Sequence, residues 1–321
     1  VPVPAGTKAK SLAIPTALAI APDGNTLYVA AFGSSKIGVF DTGQLAADSF
    51  VPDEASHIAM AGGGPSGLWL DGNDLYATTR FDNAVVRIDA TTGAELERVA
   101  LHNPEPADVV AGRPFLYDAR LTSSNGEAAC ASCHLFGDAD DLAWDLGDPD
   151  GDVVANGNTK HPGAANLRPF HPVKGPMMTQ SLRGLANQGP EHWRGDRQGD
   201  AATAFEAFNV AFGGLLGRDE GPLTAEQMTA FRKFALALRY PPNPIRQLDN
   251  AERTDEASGR NVFENVISTG PPPVPPNPFS NATRMCKECH PIAPSLGLFG
   301  TNALSIDENV QQDFKIPHLR N

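Results

Sequence analysis

Cysteine is scarce in this chain: 321 residues contain four. Positive charge is also in deficit, with 25 Lys and Arg against 38 Asp and Glu and a net charge of -13. Such a surface repels a phosphate backbone, which argues against nucleic acid as a partner. It permits steering toward a basic protein, or serves solubility alone. No apolar run reaches the roughly 18 residues of a membrane helix, so the chain is not expected to span a bilayer. No signal peptide stands at Val1, where the chain opens Val-Pro-Val-Pro. What is plentiful is glycine (31) and proline (28), which predict many loops in a chain that is 41% hydrophobic and 20% charged. The length accommodates two or three domains.

The four cysteines form two runs, Cys130-Ala131-Ser132-Cys133-His134 and Cys286-Lys287-Glu288-Cys289-His290. C-x-x-C-H is the spacing of c-type haem attachment. The two thiols reach the two vinyl groups of one porphyrin, and the adjacent histidine supplies an axial nitrogen to the iron. A redox dithiol, half of a zinc site and a disulfide pair are the competing readings. A dithiol needs no following histidine, and a four-cysteine zinc site does not require histidine at the same place twice. Two covalently bound haem c groups are therefore expected. Their attachment residues are Cys130, Cys133, Cys286 and Cys289, and their proximal ligands are His134 and His290. Haem c is normally attached outside the cytoplasm, so a periplasmic or extracellular protein is expected, read here as a mature or trimmed chain.

The first hundred residues repeat. Asp23-Gly24-Asn25 matches Asp71-Gly72-Asn73, Leu27-Tyr28 matches Leu75-Tyr76, and Asp41 matches Asp89, always 48 residues apart. Each copy alternates short β-type runs with an Asp-Gly hairpin signal. A period of roughly 40 to 50 with about four strands is that of a propeller blade. An ordinary antiparallel sheet is the plainer reading. Two blades cannot close a ring.

After a proline break near Pro104 and Pro106 comes the first haem motif, and then an acidic loop with seven aspartates between Asp138 and Asp152. That loop lacks the EF-hand pattern and reads as solvated, with calcium as the alternative. Residues 158–197 are loop-rich and carry His161, His171, Met177, Met178, His192 and Trp193, which are types that complete or line a haem iron. Phe205, Phe208 and Phe212 share one helical face. Thr224 to Gln227 is a capping box, followed by Met228, Phe231, Ala235 and Leu238 on a helix ended by Pro241-Pro242. A further helix is expected from about Ala251 to Val266, capped by Asp249 or Asn250, before a proline-rich loop at 270–278.

The repeat resembles bacterial propellers of the YVTN type. From about residue 112 onward the chain resembles the bacterial dihaem cytochrome c peroxidase and MauG-type superfamily. The matching pieces are Phe115-Leu116-Tyr117-Asp118, Lys174-Gly175-Pro176 with Thr179-Gln180-Ser181-Leu182, His192-Trp193-Arg194-Gly195-Asp196, and the final Phe314-Lys315-Ile316-Pro317-His318-Leu319-Arg320-Asn321. The fold class this implies is multidomain: a partial β-propeller followed by two mainly α-helical cytochrome c-type haem domains. The expected boundaries are 1–104 for two blades, 105–245 for the N-terminal haem domain and 246–321 for a truncated C-terminal one.

The resemblance also implies a division of labour. The haem on His134 would be reactive and the haem on His290 would accept electrons. Trp193 would lie on the route between them, and His171 would be the removable sixth ligand of the reactive iron. His161 and Met177 are reserve ligands. A calcium ion commonly accompanies such domains. The implied partners are a small redox protein and hydrogen peroxide. Three departures bear on this: Trp193-Arg194-Gly195-Asp196 exchanges the family's charges, Thr203 stands where the family carries glutamine, and Met178 stands where it carries asparagine. Glu191 and Glu206 are the nearby carboxylates. Two functions follow, a peroxidase-like oxidoreductase or an electron-transfer cytochrome with both irons six-coordinate and the blades as a docking platform.

Overall fold

A computed structural model of the chain describes residues 4, 6–157, 168–242, 244–245, 249, 251–266, 285–293, 298–301, 305–307 and 313–319. His161, Asn250, the 270–278 loop, Arg320 and Asn321 lie outside the described residues. The chain divides into two compact units, Val1–Phe136 with Asn209–Ala235, and Gly137–Phe208 with Leu236–Asn321. The expected boundary at 104 falls inside the first unit and that at 245 inside the second.

The first unit holds two four-stranded antiparallel sheets, each in sequential order. One runs β1 (Pro15–Ile20), β2 (Thr26–Ala31), β3 (Lys36–Asp41) and β4 (His57–Ala59). The other runs β5 (Pro65–Asp71), β6 (Asp74–Thr79), β7 (Ala84–Asp89) and β8 (Glu95–Ala100). The repeated residues do the same local work in both. Gly24 at φ +75° and Gly72 at φ +59° take the left-handed turn conformation that a side chain resists. Asp41 Oδ1 accepts from the Gln44 amide at 2.8 Å, and Asp89 Oδ1 from the Thr91 amide at 2.9 Å, so each third strand ends in a carboxylate-capped turn. One core joins the sheets, built from Tyr28, Ile37, Ile58 and Met60 on one side and Leu75, Ala77, Val86 and Ile88 on the other. Truncating Leu75, which is fully buried, to alanine costs about 2–5 kcal/mol.

The same unit carries the first C-x-x-C-H run. The short helix Pro114–Tyr117 leads toward it. The Tyr117 ring packs edge-on to Phe32 (5.1 Å) and to Phe234 (6.2 Å), and stacks on Phe81 (6.4 Å). The segment after β2, the segment after β6 and the helix Ala225–Ala237 are thereby tied together. That helix begins in a reciprocal capping box: the Thr224 amide donates to Gln227 Oε1 (3.0 Å) and the Gln227 amide to Thr224 Oγ1 (3.3 Å). Met228, Phe231, Phe234 and Ala235 are its buried face.

The second unit is mostly irregular. Its strands come in short antiparallel pairs: Ala143–Trp144 with Met177–Met178, Ile292–Ala293 with Leu298–Phe299, and Ser305–Asp307 with Asp313–Lys315. The predicted helix near 251–266 is Thr254–Asn265. The helix expected to carry Phe205, Phe208 and Phe212 is broken into Ala201–Glu206, a 3-10 turn at Ala207–Asn209 and Val210–Gly214.

The expected fold class is corrected on two counts. The sheets form no closed propeller, since two four-stranded sheets are present among the described residues and a ring needs roughly four or more. Nor are there two mainly helical haem domains: only Ala225–Ala237 and Thr254–Asn265 exceed six residues among the described α-helices. The backbone gives the reason. Between 136 and 200, Phe136, Asp141, Asn187, His192 and five glycines have positive φ, a conformation that ends a right-handed helix each time it occurs. No helix among the described residues is long and apolar enough to cross a membrane.

Candidate functional site

Each C-x-x-C-H run folds into a single helical turn. Cys130–Ser132 is a 3-10 helix, with the Ala129 amide donating to Ser132 Oγ at 3.1 Å; Cys286–Cys289 is one α-turn. In each, the histidine amide donates to the carbonyl of the first cysteine at 2.9 Å, His134 to Cys130 and His290 to Cys286. A single turn brings residues three apart onto one face, so both thiols of a pair share a side.

His290 has a defined tautomer. Its Nδ1 lies 2.6 Å from the carbonyl oxygen of Gly300. A carbonyl only accepts, so Nδ1 carries the hydrogen, and in the neutral ring Nε2 is the nitrogen whose lone pair faces a metal. Gly300 is required there: its φ is +91°, and a Cβ would come within 2.6 Å of the Leu319 side chain. Its own amide is held by the carbonyl of Pro291 at 2.9 Å.

None of the four cysteines is joined to another in a disulfide. Burial pushes the Cys130 thiol up to about 12, against the pull of a backbone hydrogen bond, although the residue as a whole is part-exposed. Among the described residues no three His, Cys, Asp or Glu side chains gather to cage a metal ion. Three aspartates of the acidic loop cap their own turns: Asp145 accepts from Gly147, Asp148 from Asp150, and Asp140 from Leu142 and the Trp144 indole; Asp138 pairs with Arg183 at 2.7 Å. Paired thiols on one turn, an adjacent histidine and a lone-pair Nε2 are a donor set that fits haem c.

His171 belongs to the second unit, whereas Cys130, Cys133 and His134 belong to the first. Its backbone is pinned from three sides. The Phe170 amide and carbonyl pair with Val154 (2.7 and 3.0 Å), the Pro172 carbonyl accepts from Asp148 (3.1 Å), and the His171 carbonyl accepts from the buried Arg194 guanidinium (2.6 Å). The imidazole itself is exposed. Met177 is half-buried and paired with Trp144. Thr203 lies in the first turn of Ala201–Glu206, its amide capped by Asp200 at 2.8 Å, and Glu206 is exposed.

Trp193 is clamped at both ends. Its indole Nε1 donates to the Met178 carbonyl at 2.5 Å, and its own carbonyl accepts from the Lys315 amide at 2.6 Å. Around it lies a charged cluster that sequence reasoning did not assemble. His192 Nδ1 is 3.0 Å from Asp196 Oδ1, and Lys174 and Arg194 approach Asp196 Oδ2 at 4.0 and 3.9 Å. Burial raises the Asp196 carboxyl, but the His192 hydrogen bond and the charges of His192, Lys174 and Arg194 outweigh it and hold the group well below the usual carboxylate range. Burial pushes Lys174 and Arg194 down. Glu191, next to His192, is paired with Lys315 at 3.1 Å.

These contacts connect the Trp193 loop to the second C-x-x-C-H run. Lys315 holds Trp193 and Glu191, Thr301 donates to the carbonyl of Ile316, and Gly300 receives His290. The signals were available in the sequence only as isolated residues.

No protein-family profile matches the chain, and no curated protein matches it. Among solved structures, hydrazine synthase of Kuenenia stuttgartiensis is similar at 20% identity and a TM-score of 0.40, over 64% of this chain and 55% of that one. A putative 6-phosphogluconolactonase of Bacteroides fragilis is similar at 22% identity and a TM-score of 0.24, over 28% of each chain. A chain of a nidogen/laminin complex is similar at 16% identity and a TM-score of 0.23, over 28% of this chain and 32% of that one. The chain thus spans little more than half the length of the first of these. Likenesses of this size assign no family and no activity.

Proposed function

We propose that the chain is a dihaem c-type cytochrome of the cell exterior or periplasm, acting as a peroxidase-like oxidoreductase. The observation that carries the reading is the pair of C-x-x-C-H runs, each folded into a single turn with the histidine amide on the carbonyl of the first cysteine at 2.9 Å. Cys130 and Cys133 would hold one haem with His134 as ligand, and Cys286 and Cys289 the other with His290. Haem c supplies one-electron chemistry at iron, tuned by the axial ligands and their hydrogen bonds. Gly300 orients His290 for that role through its carbonyl. His171 is proposed as the removable ligand of the reactive haem and Trp193 as the aromatic that carries electrons, with a small redox protein as partner and hydrogen peroxide as substrate.

One observation favours the second reading, an electron-transfer cytochrome without an open iron. Splitting an O–O bond benefits from a positioned acid or base. Glu191 is paired with Lys315, and Thr203 lies in the first turn of a helix capped by Asp200. The test is the spectrum of the half-reduced protein with and without peroxide. Turnover with an electron donor, together with a high-spin haem, supports the peroxidase-like reading. Two low-spin haems indifferent to peroxide and carbon monoxide support the electron carrier.

A further inference from the structure

Residues 6–14 form a strap on the first sheet. The Gly33 and Phe32 amides donate to the Ala13 and Ile14 carbonyls at 2.9 and 3.0 Å, and the Ala13 amide donates to Ser34 Oγ at 2.8 Å. Leu12 fills the space over Gly38, where a Cβ would stand 2.5 Å from its Cδ1, on the side of β3 opposite the buried Ile37. Two side chains of the sheet hold the turn Thr7–Lys10. Lys36, which is 6% exposed, donates its Nζ to the Ala9 carbonyl. His57, the β4 partner of Gly38, also faces that carbonyl, and its Nδ1 is buried with no hydrogen-bond partner.

The strap is strained where it leaves for β1. Ile14 has φ +52°, a left-handed conformation that a β-branched residue resists and that persists only where its surroundings enforce it. The strap also touches the segment that leads to the first C-x-x-C-H run. Ser11 Oγ donates to the Asn125 carbonyl at 2.7 Å, and the Lys8 carbonyl lies 3.0 Å from where a Cβ on Gly126 would stand. Ala13 is buried together with Ala119 and Ala129, and Ala129 is the residue before Cys130 whose amide holds Ser132 Oγ.

We infer that residues 6–14 are an acid-released latch: protonation of His57 lifts them from β3 and β4 and loosens the first C-x-x-C-H run with them. A neutral imidazole is tolerated at this place. An imidazolium carries hydrogen on both nitrogens, so Nδ1 would be a buried donor with nothing to accept from it, and a second cation would stand with Lys36 at one carbonyl. The groups that face the ring are Lys36, Glu54, Asp53 and the Ala9 carbonyl, and Lys36 in turn faces Glu54, Arg120 and Asp118. Glu54 and Asp53 favour the imidazolium but are exposed, and burial and Lys36 outweigh them, which pushes His57 below the ordinary histidine range. A depressed histidine means that the open strap takes up the proton first as pH falls. The closed state is therefore favoured above the ordinary histidine range and lost on descent through it. Release also relieves Ile14.

Hydrogen–deuterium exchange of the full chain at about pH 7.5 and about pH 5, corrected for intrinsic exchange, tests this. Peptides covering 6–14 and 125–134 should together lose protection at least about threefold at the lower pH. Peptides of β6 and β7 should keep theirs. His57→Gln should hold the neutral-pH protection at both values. Lys36→Met should loosen 6–14 already at neutral pH, through loss of the donor to Ala9, and should weaken the response to acid. Equal protection of the wild type at both values overturns the inference, as does a loss that His57→Gln retains. A loss confined to 6–14 shows that the run is not coupled to the strap, and a loss shared by β6 and β7 shows acid unfolding instead of release; either result also overturns it.

Discussion

Lys315 Nζ stands 3.1 Å from Glu191 Oε2, with only 3% and 4% of the two side chains exposed. A buried ion pair is costly to break from one side, because the remaining charge is left without compensation. Lys315→Met should destabilise the second unit by about 3 kcal/mol, and Glu191→Gln by a similar amount. The double variant should lose clearly less than the two together. Urea denaturation of the four proteins as a double-mutant cycle checks it; additive losses would show that the pair does not act as a unit.

Asp196 predicts an acid limb. Its native carboxyl is held below the ordinary range by His192, Lys174 and Arg194 after burial is overcome. A depressed native value means that the unfolded state binds the proton first as pH falls, so the stabilisation is complete above the ordinary carboxylate range and is lost on descent toward the native value. Asp196→Asn should cost about 2 kcal/mol at neutral pH, and the gap from wild type should narrow steadily below about pH 4. Thermal melts between neutral and acid pH would record it; a gap independent of pH would contradict the assignment.

Gly300 is predicted to be irreplaceable by any residue with a side chain. Its φ is +91°, and the Leu319 side chain lies 2.6 Å from where a Cβ would stand. Gly300→Ala should therefore cost about 1–3 kcal/mol and move the carbonyl off His290. The second effect is specific: with haem bound, the midpoint potential of the His290 haem should shift while that of the His134 haem stays in place. Spectroelectrochemistry separates the two.

His171→Ala should convert one low-spin haem to high-spin without changing haem content. An unchanged spectrum refutes the ligand assignment. Trp193→Phe keeps an aromatic ring but removes the donor to the Met178 carbonyl. It should slow electron equilibration between the haems at least roughly tenfold, with each haem's own spectrum preserved. Flash photolysis or stopped-flow reduction reads it directly.

The strands were legible because their cause is local. Alternation at β2 and β6, the Asp-Gly turns and the capping aspartates Asp41 and Asp89 need only their neighbours in sequence, and so does the Thr224–Gln227 capping box. The helical domains expected from the resemblance were not found, because residues such as Phe136 and His192 take positive φ under tertiary constraint, which periodicity does not report. The sequence order also hid the assembly of the units, since the helix Ala225–Ala237 packs through Phe234 on Tyr117, more than a hundred residues earlier. Within the candidate site, the two C-x-x-C-H runs could be read directly. Gly300 and Lys315 could not: each acts through a long-range hydrogen bond, on His290 and on Trp193 and Glu191 respectively, and carries no motif that announces it.

The central claim is covalent attachment of two haems, and intact-mass spectrometry tests it most directly. Protein exported by a host with haem-attachment machinery should carry two haem additions. Cys286→Ser with Cys289→Ser should carry one, and the corresponding pair of changes at Cys130 and Cys133 should also carry one. A wild-type mass with no haem addition, or an addition that survives loss of its cysteines, would contradict the account.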